Sequence, residues 1–221
     1  MKAVNYLLAF IGGAAVGAAA LGAHTVKKAK ENNIPMFVLG KGSNLLIDDN
    51  GMKGVVLTLE GNFKDISLEE NKITVGAGVN LAKLCTFAQT NSLAGLEFAY
   101  GIPGSVGGAV YMNAGAYGGE MKDVVTSVTH LAQDGDIVTL PLDKLDFSYR
   151  HSVYKENNSI ILSATIELKT GNKDEIKALM DDILNRRKTK QPLEYPSAGS
   201  VFKRPEGNFA GTLIEQCGLQ G

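Results

Sequence analysis

A glycine-rich run from Gly101 to Gly119 is the feature that most constrains the fold of this chain. Its sequence, GIPGSVGGAVYMNAGAYGG, contains 7 glycines, but apolar and β-branched residues are interleaved with them, unlike in a flexible linker. Glycine lets successive backbone N–H groups approach a ligand closely, and such groups form a concave nest for phosphate. We therefore expect a cofactor that carries a diphosphate. The alternative is a tightly packed, turn-rich part of the core.

Length and composition are those of an ordinary globular protein. The 221 residues suffice for one or two domains with sizeable cores. With 22 basic and 23 acidic side chains, the net charge is −1, and no basic excess indicates nucleic acid as a partner. Cys85 and Cys217 lack the paired spacing of a zinc site, and no other motif indicates a metal. We expect two buried, free thiols and a reducing compartment.

The N-terminal segment allows several interpretations. An uncharged stretch begins at Val4 and ends at Ala23, which is long enough to span a bilayer as a helix. It also resembles a signal peptide, or a buried Ala-rich helix of a soluble domain, or a product of how the reading frame was assembled. If the stretch spans a membrane as a helix, the basic residues at 27, 28 and 30 that follow it would place the rest of the chain in the cytoplasm. We expect a cytoplasmic protein with possible membrane contact through this segment.

Beyond residue 30 the pattern alternates between strands and helices. Strands are predicted at 36–39, 45–47, 55–59, 72–75 and 159–168, and a hairpin at 124–131 and 137–140 with Asp-Gly at its turn. Asn80 is a plausible N-cap for a helix that ends near residue 91. A second helix is predicted at 173–187, with Ile176, Leu179, Met180, Ile183 and Leu184 on one face.

Two separate loops rich in Gly, Ser and Asn indicate how the cofactor is held. Neither loop has the Walker pattern, and Gly40-x-Gly42 lacks the third glycine of a dinucleotide fingerprint. We expect the two loops to grip the cofactor from two sides through their backbone. Ser43, Asn44, Ser105 and Asn113 add hydroxyl and amide groups of suitable reach.

Four long motifs carry a family resemblance over residues 25–221. They are GKGSNLL at 40–46, GLEFAYGIPGSVGGAVYMNAGAYG at 95–118, DFSYRHS at 146–152 and RKTKQPLEYPSAGSVFKRP at 187–205. These segments resemble the UDP-N-acetylenolpyruvoylglucosamine reductases, flavoenzymes of peptidoglycan precursor synthesis. The resemblance implies an α+β fold with a vanillyl-alcohol-oxidase/PCMH-type FAD-binding domain and a partial α/β substrate-binding domain. The implied boundaries are 1–24 for the hydrophobic segment, 25–60 and 61–170 for two FAD-binding subdomains, and 171–221 for the start of the substrate-binding domain.

The resemblance also implies the ligands. FAD would be bound noncovalently, NADPH would donate hydride, and the substrate would be UDP-N-acetylglucosamine enolpyruvate, which is reduced to UDP-N-acetylmuramate. The positions implied for the cofactor are Gly40, Lys41, Gly42, Ser43, Asn44, Leu45, Pro103, Gly104, Ser105, Gly107, Gly108, Asn113, Gly115 and Ala116.

Four further residues match catalytic or substrate-binding positions of the family. Arg150 matches the arginine that stabilises the developing negative charge, and Ser200 matches the proton donor. Tyr149 and Arg187 match positions that bind the UDP-sugar. The family's catalytic glutamate has no match, and residues 1–23 replace most of the strand-rich stretch with which the family begins. We therefore expect little turnover from this chain, with an FAD-binding module without turnover or a membrane-associated remnant as alternatives.

Overall fold

The described part of the chain contains two larger β-sheets, two short sheets of two strands each, and several helices. The computed structural model describes residues 7–11, 24, 26–191, 195 and 199–219. In chain order the elements are β1 (Leu7–Ile11), α1 (26–31), β2 (Met36–Val38), β3 (Val55–Leu59), β4 (Ile66–Glu69), β5 (Lys72–Gly76), α2 (Leu81–Thr90), β6 (Leu93–Ala94), α3 (Val106–Tyr111), β7 (Gly115–Ala116), β8 (Gly119–Glu120), β9 (Val125–Leu131), β10 (Ile137–Pro141), α4 (Tyr154–Asn157), β11 (Ile160–Glu167), β12 (Lys169–Thr170), α5 (Lys173–Lys190) and α6 (Ala210–Gln216).

The first sheet is small and parallel, in the order β1-β3-β2. Its central strand β3 alternates buried and half-buried residues, and Leu57 at its middle is fully buried. Helix α1 lies between β1 and β2 in sequence and buries Val26 and Ala29. The first glycine loop begins directly after β2, at the carboxyl end of the sheet, where ligands commonly bind in parallel sheets.

The second sheet has five antiparallel strands in the order β10-β9-β11-β5-β4. Strands β9 and β10 form the predicted hairpin, and β11 lies at the centre between β9 and β5. Helices α2, α3 and α5 contribute to the main core, which also contains the buried faces of β5, β9 and β11. The core therefore fixes the start of α3, which is where the second glycine loop ends.

The helix signals in the sequence correspond to observed helices. Asn80 caps α2, because its side-chain oxygen accepts a hydrogen bond from the Ala82 N–H at 2.9 Å. Helix α5 buries Ile176, Met180 and Ile183, but Leu179 is half exposed rather than part of the apolar face. Cys85 is free and buried as expected, whereas Cys217 is free but exposed, so its predicted burial is wrong.

Two predictions near the N-terminus are corrected. Residues 45–47 form no strand, because the chain continues from the first glycine loop into an irregular segment. Residues Leu7–Ile11, which lie in the predicted membrane segment, form strand β1 and pair with β3. The prediction of a membrane helix is therefore wrong for these five residues, and a strand is present in the stretch that was expected to have replaced the family's first strands. The rest of the stretch between Val4 and Ala23 lies outside the described residues. Among the described helices, none combines the length and the apolar character needed to cross a bilayer.

Candidate active site

The first glycine loop, residues 40–45, lies against the second one, residues 103–105. The Ser43 hydroxyl donates a hydrogen bond to the Pro103 carbonyl at 2.7 Å. A Cβ atom on Gly40 would lie 2.5 Å from Oγ of Ser105, so only glycine permits this close approach. The two loops that the sequence places 60 residues apart are therefore in direct contact.

Backbone donors remain available on both loops. Within the described part of the chain, the N–H groups of residues 40–44 and of residues 104 and 105 donate to no protein acceptor. In contrast, the N–H groups of Val106 and Gly107 donate to Val79 and Ala77, at 2.9 Å each. The free donors are thus concentrated where the loops meet, and an anion bound there would satisfy them.

The residues at the start of α3 stabilise the fold rather than offering free backbone donors to a ligand. Ser105 caps the helix through a 3.3 Å hydrogen bond from the Gly108 N–H to its hydroxyl oxygen. A Cβ on Gly107 would lie 2.9 Å from the Cβ of Ala77, so Gly107 is required for packing against the chain that follows β5. Because its N–H is already bonded, Gly107 has no backbone donor to offer a cofactor.

A tight turn at residues 148–151 presents Tyr149 and Arg150. Ser148 and His151 exchange two backbone hydrogen bonds, of 3.3 and 3.1 Å, which close the turn. Arg150 has a positive φ of 56°, and its Nη2 lies 3.4 Å from the Gly115 carbonyl. Its guanidinium also lies 5.6 Å from the centroid of the Tyr149 ring. The long contact to Gly115 leaves most donors of Arg150 free for a ligand.

Asn113 does not offer its side chain to a ligand. Its Nδ2 donates to Oε2 of Glu120 at 2.8 Å and to the Ser148 carbonyl at 3.0 Å. Its Oδ1 accepts from the Lys122 N–H at 2.9 Å. Asn113 is almost completely buried, and its bond to the Ser148 carbonyl connects the glycine-rich run to the turn that carries Arg150.

Residues 199–204 lie between the first glycine loop and the Arg150 turn. A Cβ on Gly199 would lie 3.3 Å from Oδ1 of Asn44, which places the neighbouring, exposed Ser200 beside the first loop. At the other end, the Arg204 N–H donates to the Tyr149 hydroxyl at 3.2 Å. The structure thus brings the segment of Ser200 to both of these elements.

Arg187 lies at the entrance of the glycine-rich run. A Cβ on Gly101 would lie 2.9 Å from Cδ of Arg187, so this glycine leaves room for the arginine stem. The Nη2 atom of Arg187 donates a hydrogen bond to Oε1 of Gln191 at 3.3 Å. Gln191 is the C-terminal cap residue of α5, one turn after Arg187. Gly101 was not among the predicted site residues, although it begins the run on which the prediction was based.

The electrostatics of this region favour an anion. Burial and the nearby Lys203 lower the pKa of the Lys155 ammonium below its ordinary value. Among the described residues, Arg150, Lys155, Lys203 and Arg204 form no ion pair with a carboxylate. Sequence reasoning missed Lys155, Lys203 and Arg204, although the adjacent basic pair 203–204 within the last motif was a signal. These uncompensated charges suit a multiply negative ligand.

Comparison with known proteins identifies the family. Residues 15–141 match the FAD binding domain family, and residues 191–221 match the C-terminal domain of UDP-N-acetylenolpyruvoylglucosamine reductase. The crystal structure of the reductase from Thermus caldophilus superposes with a TM-score of 0.81 at 36% identity, over 97% of this chain and 74% of that one. This chain belongs to the UDP-N-acetylenolpyruvoylglucosamine reductase family.

Curated members of the reductase family are more similar in sequence. The reductase of Clostridioides difficile is 50% identical over 198 residues, and that of Clostridium novyi is 52% identical over 192 residues. These alignments cover 90% and 87% of this chain but only 65% and 62% of the relatives. The chain thus spans somewhat less than two thirds of the length of these reductases.

The reductase fold extends to more distant proteins. The structure of 6-hydroxy-D-nicotine oxidase from Arthrobacter nicotinovorans superposes with a TM-score of 0.56 at 17% identity, which is a similarity of fold alone. Together with the family match, it confirms the predicted α+β fold with an FAD-binding domain of the vanillyl-alcohol-oxidase type.

Proposed function

We propose that this chain binds FAD noncovalently and, with NADPH as hydride donor, serves in the reduction of UDP-N-acetylglucosamine enolpyruvate to UDP-N-acetylmuramate in the cytoplasm. The observation that carries this proposal is the set of free backbone N–H groups where residues 40–44 meet residues 104 and 105. Membership of the reductase family supports the choice of cofactor and substrate.

The two loops fit the diphosphate of FAD. Oxygen atoms of a diphosphate accept several hydrogen bonds at once, and successive N–H groups in a concave turn supply them. The contact between Gly40 and Ser105 keeps the loops close without intervening side chains. The residues that would hold the cofactor are Gly40, Lys41, Gly42, Ser43, Asn44 and Leu45 on the first loop and Pro103, Gly104 and Ser105 on the second.

Arg150 and Ser200 have the chemistry that the reduction needs from the protein. FAD, when bound, supplies the two-electron step, in which hydride from NADPH reaches the enol-ether double bond. The guanidinium of Arg150 can stabilise the negative charge that develops beside the substrate carboxylate. The Ser200 hydroxyl would then give a proton to the substrate carbon.

The polar and basic side chains around Arg150 and at the start of the glycine-rich run would bind the substrate. Tyr149 lies beside Arg150 and is held by the Arg204 N–H, so its ring is fixed at the edge of the site. Arg187 reaches the entrance of the glycine-rich run from α5. Lys155 and Lys203 add positive charge, which a nucleoside diphosphate would neutralise.

Titration with FAD tests the cofactor site. Ser43→Ala removes the hydrogen bond between the loops, which contributes about 1 kcal/mol, so we expect FAD to bind about fivefold more weakly. Ser67→Ala is the matched control, because Ser67 is exposed on β4 and its hydroxyl makes no hydrogen bond within the described part. Failure of the wild-type chain to bind FAD would contradict the proposal.

NADPH oxidation that depends on the enolpyruvyl UDP-sugar tests turnover. We expect Arg150→Met to abolish this oxidation and to keep the FAD content of the wild-type chain. Bound FAD without substrate-dependent oxidation in the wild-type chain would reduce the function to that of an FAD-binding module.

A further inference from the structure

We propose that Asn113 is a positioning residue, which sets the location of Arg150 through the carbonyl group of Ser148. This inference rests on the proposed function, because it concerns the same reaction. It differs from the sequence-based prediction, in which Asn113 contacts the cofactor directly.

The buried amide of Asn113 joins two parts of the chain that are distant in sequence. One Nδ2 hydrogen bond goes to Glu120, directly after the glycine-rich run, and the other goes to the carbonyl of Ser148, which is 35 residues away from Asn113. Asn113 has a positive φ of 40°, a conformation that asparagine tolerates better than most residues. Its backbone and its side chain therefore both fit this particular junction.

The Ser148 carbonyl determines how the turn presents Arg150. It accepts hydrogen bonds from both the Asn113 amide and the His151 N–H, at 3.0 and 3.1 Å. Since the His151 bond closes the turn around Tyr149 and Arg150, the Asn113 bond fixes that turn to the glycine-rich run. An error of about 1 Å in the position of a catalytic group can lower a rate about 100-fold.

Two further contacts show that the turn is fixed to the run at several points. The Ser152 hydroxyl donates to the Tyr111 carbonyl at 2.7 Å, and Arg150 contacts the Gly115 carbonyl. Of these contacts, only the bond from Asn113 reaches the backbone of the turn itself. Asn113 is thus the residue whose loss would free the turn while the flanking contacts remain.

A double variant isolates this single bond. In Asn113→Asp with Glu120→Gln, the new carboxylate at 113 accepts from the new amide at 120, and it still accepts from the Lys122 N–H. Both this variant and Glu120→Gln alone lose the ion pair between Glu120 and Lys122, at 3.1 Å. The hydrogen bond that only the double variant lacks is the one to Ser148, because a carboxylate cannot donate to a carbonyl and instead repels it. Glu120→Gln alone is the matched control, since its amide oxygen can still accept from Asn113.

The expected results separate positioning from folding. We expect the double variant to keep its FAD content within twofold of wild type, to lose kcat at least tenfold and to keep KM within threefold. The His151 amide should exchange with solvent at least tenfold faster, while exchange in β9 and β11 stays unchanged. Glu120→Gln should match wild type within threefold in every measurement.

Two outcomes would overturn the inference. One is a double variant with wild-type kcat and wild-type exchange at His151. The other is a loss of kcat that merely follows a loss of FAD content, since that would place Asn113 in folding or cofactor binding. If the wild-type chain shows no turnover, the proposed function fails, and exchange at His151 still decides whether Asn113 holds the turn.

Discussion

At the scale of single residues, neighbouring glycines of one motif have different roles. Gly107 packs against Ala77 and has its N–H bonded, whereas a Cβ on Gly108 would meet only Oγ of Ser105, at an ordinary 3.5 Å. Both are glycines in α3, and nothing in the sequence distinguishes them. Their difference comes from which side of the short helix faces the chain after β5.

Alanine substitutions at these two glycines test this difference. We expect Gly107→Ala to lower the free energy of unfolding by about 1–3 kcal/mol, because the added methyl group overpacks the contact with Ala77. Gly108→Ala should leave stability unchanged or raise it by up to about 1 kcal/mol, because alanine favours the helix. Urea unfolding of the cofactor-free protein measures both, and equal values for the two variants would contradict the packing role of Gly107.

At the scale of elements, helix α5 is the support for Arg187. Its first turn is capped by Asn172, whose Oδ1 accepts from the N–H groups of Asp174 and Glu175, at 2.8 and 3.2 Å. Its buried residues Ile176, Met180 and Ile183 attach it to the core. Cap and apolar face together determine where the last turn of α5 meets the glycine-rich run.

Removing the cap of α5 should lower stability. We expect Asn172→Ala to lower the free energy of unfolding by about 1 kcal/mol, because two N–H groups lose their acceptor. Asn172→Asp is the control and should keep wild-type stability, since aspartate is an equally good cap. Thermal unfolding followed by circular dichroism measures both variants; a melting temperature for Asn172→Ala equal to that of wild type would exclude the capping role.

At the scale of the whole molecule, a buried polar pair links the second sheet to α4. The Nδ1 atom of His130, on β9, lies 3.2 Å from the hydroxyl of Tyr154, and both residues are buried. Burial lowers the pKa of His130 and raises the pKa of Tyr154, while Asp134 partly offsets the effect at His130. The folded protein therefore favours the neutral form of both side chains.

This pair predicts a stability that decreases in acid. Because the folded pKa of His130 is below the unfolded value, the unfolded state binds more protons at acidic pH. The free energy of unfolding should be fully maintained above the unfolded pKa of about 6.5 and should decrease as the pH falls towards the folded pKa. We expect His130→Gln to flatten this dependence below about pH 6.5, whereas His24→Gln, an exposed position, should follow wild type. Parallel pH profiles for wild type and His130→Gln would contradict this assignment.

The sequence by itself determined the elements whose signals are local. The Asp-Gly turn between β9 and β10, the cap at Asn80 and the apolar spacing of α5 act over a few residues, and the structure contains all three elements. The motifs also determined the family, because their residues follow one another in unbroken order. Only the tertiary structure decided what contacts what: that the two glycine loops touch, and that the amide of Asn113 bonds to Ser148 rather than pointing to a ligand. Such contacts join residues tens of positions apart, and they depend on how the sheets and helices pack, which no local pattern specifies.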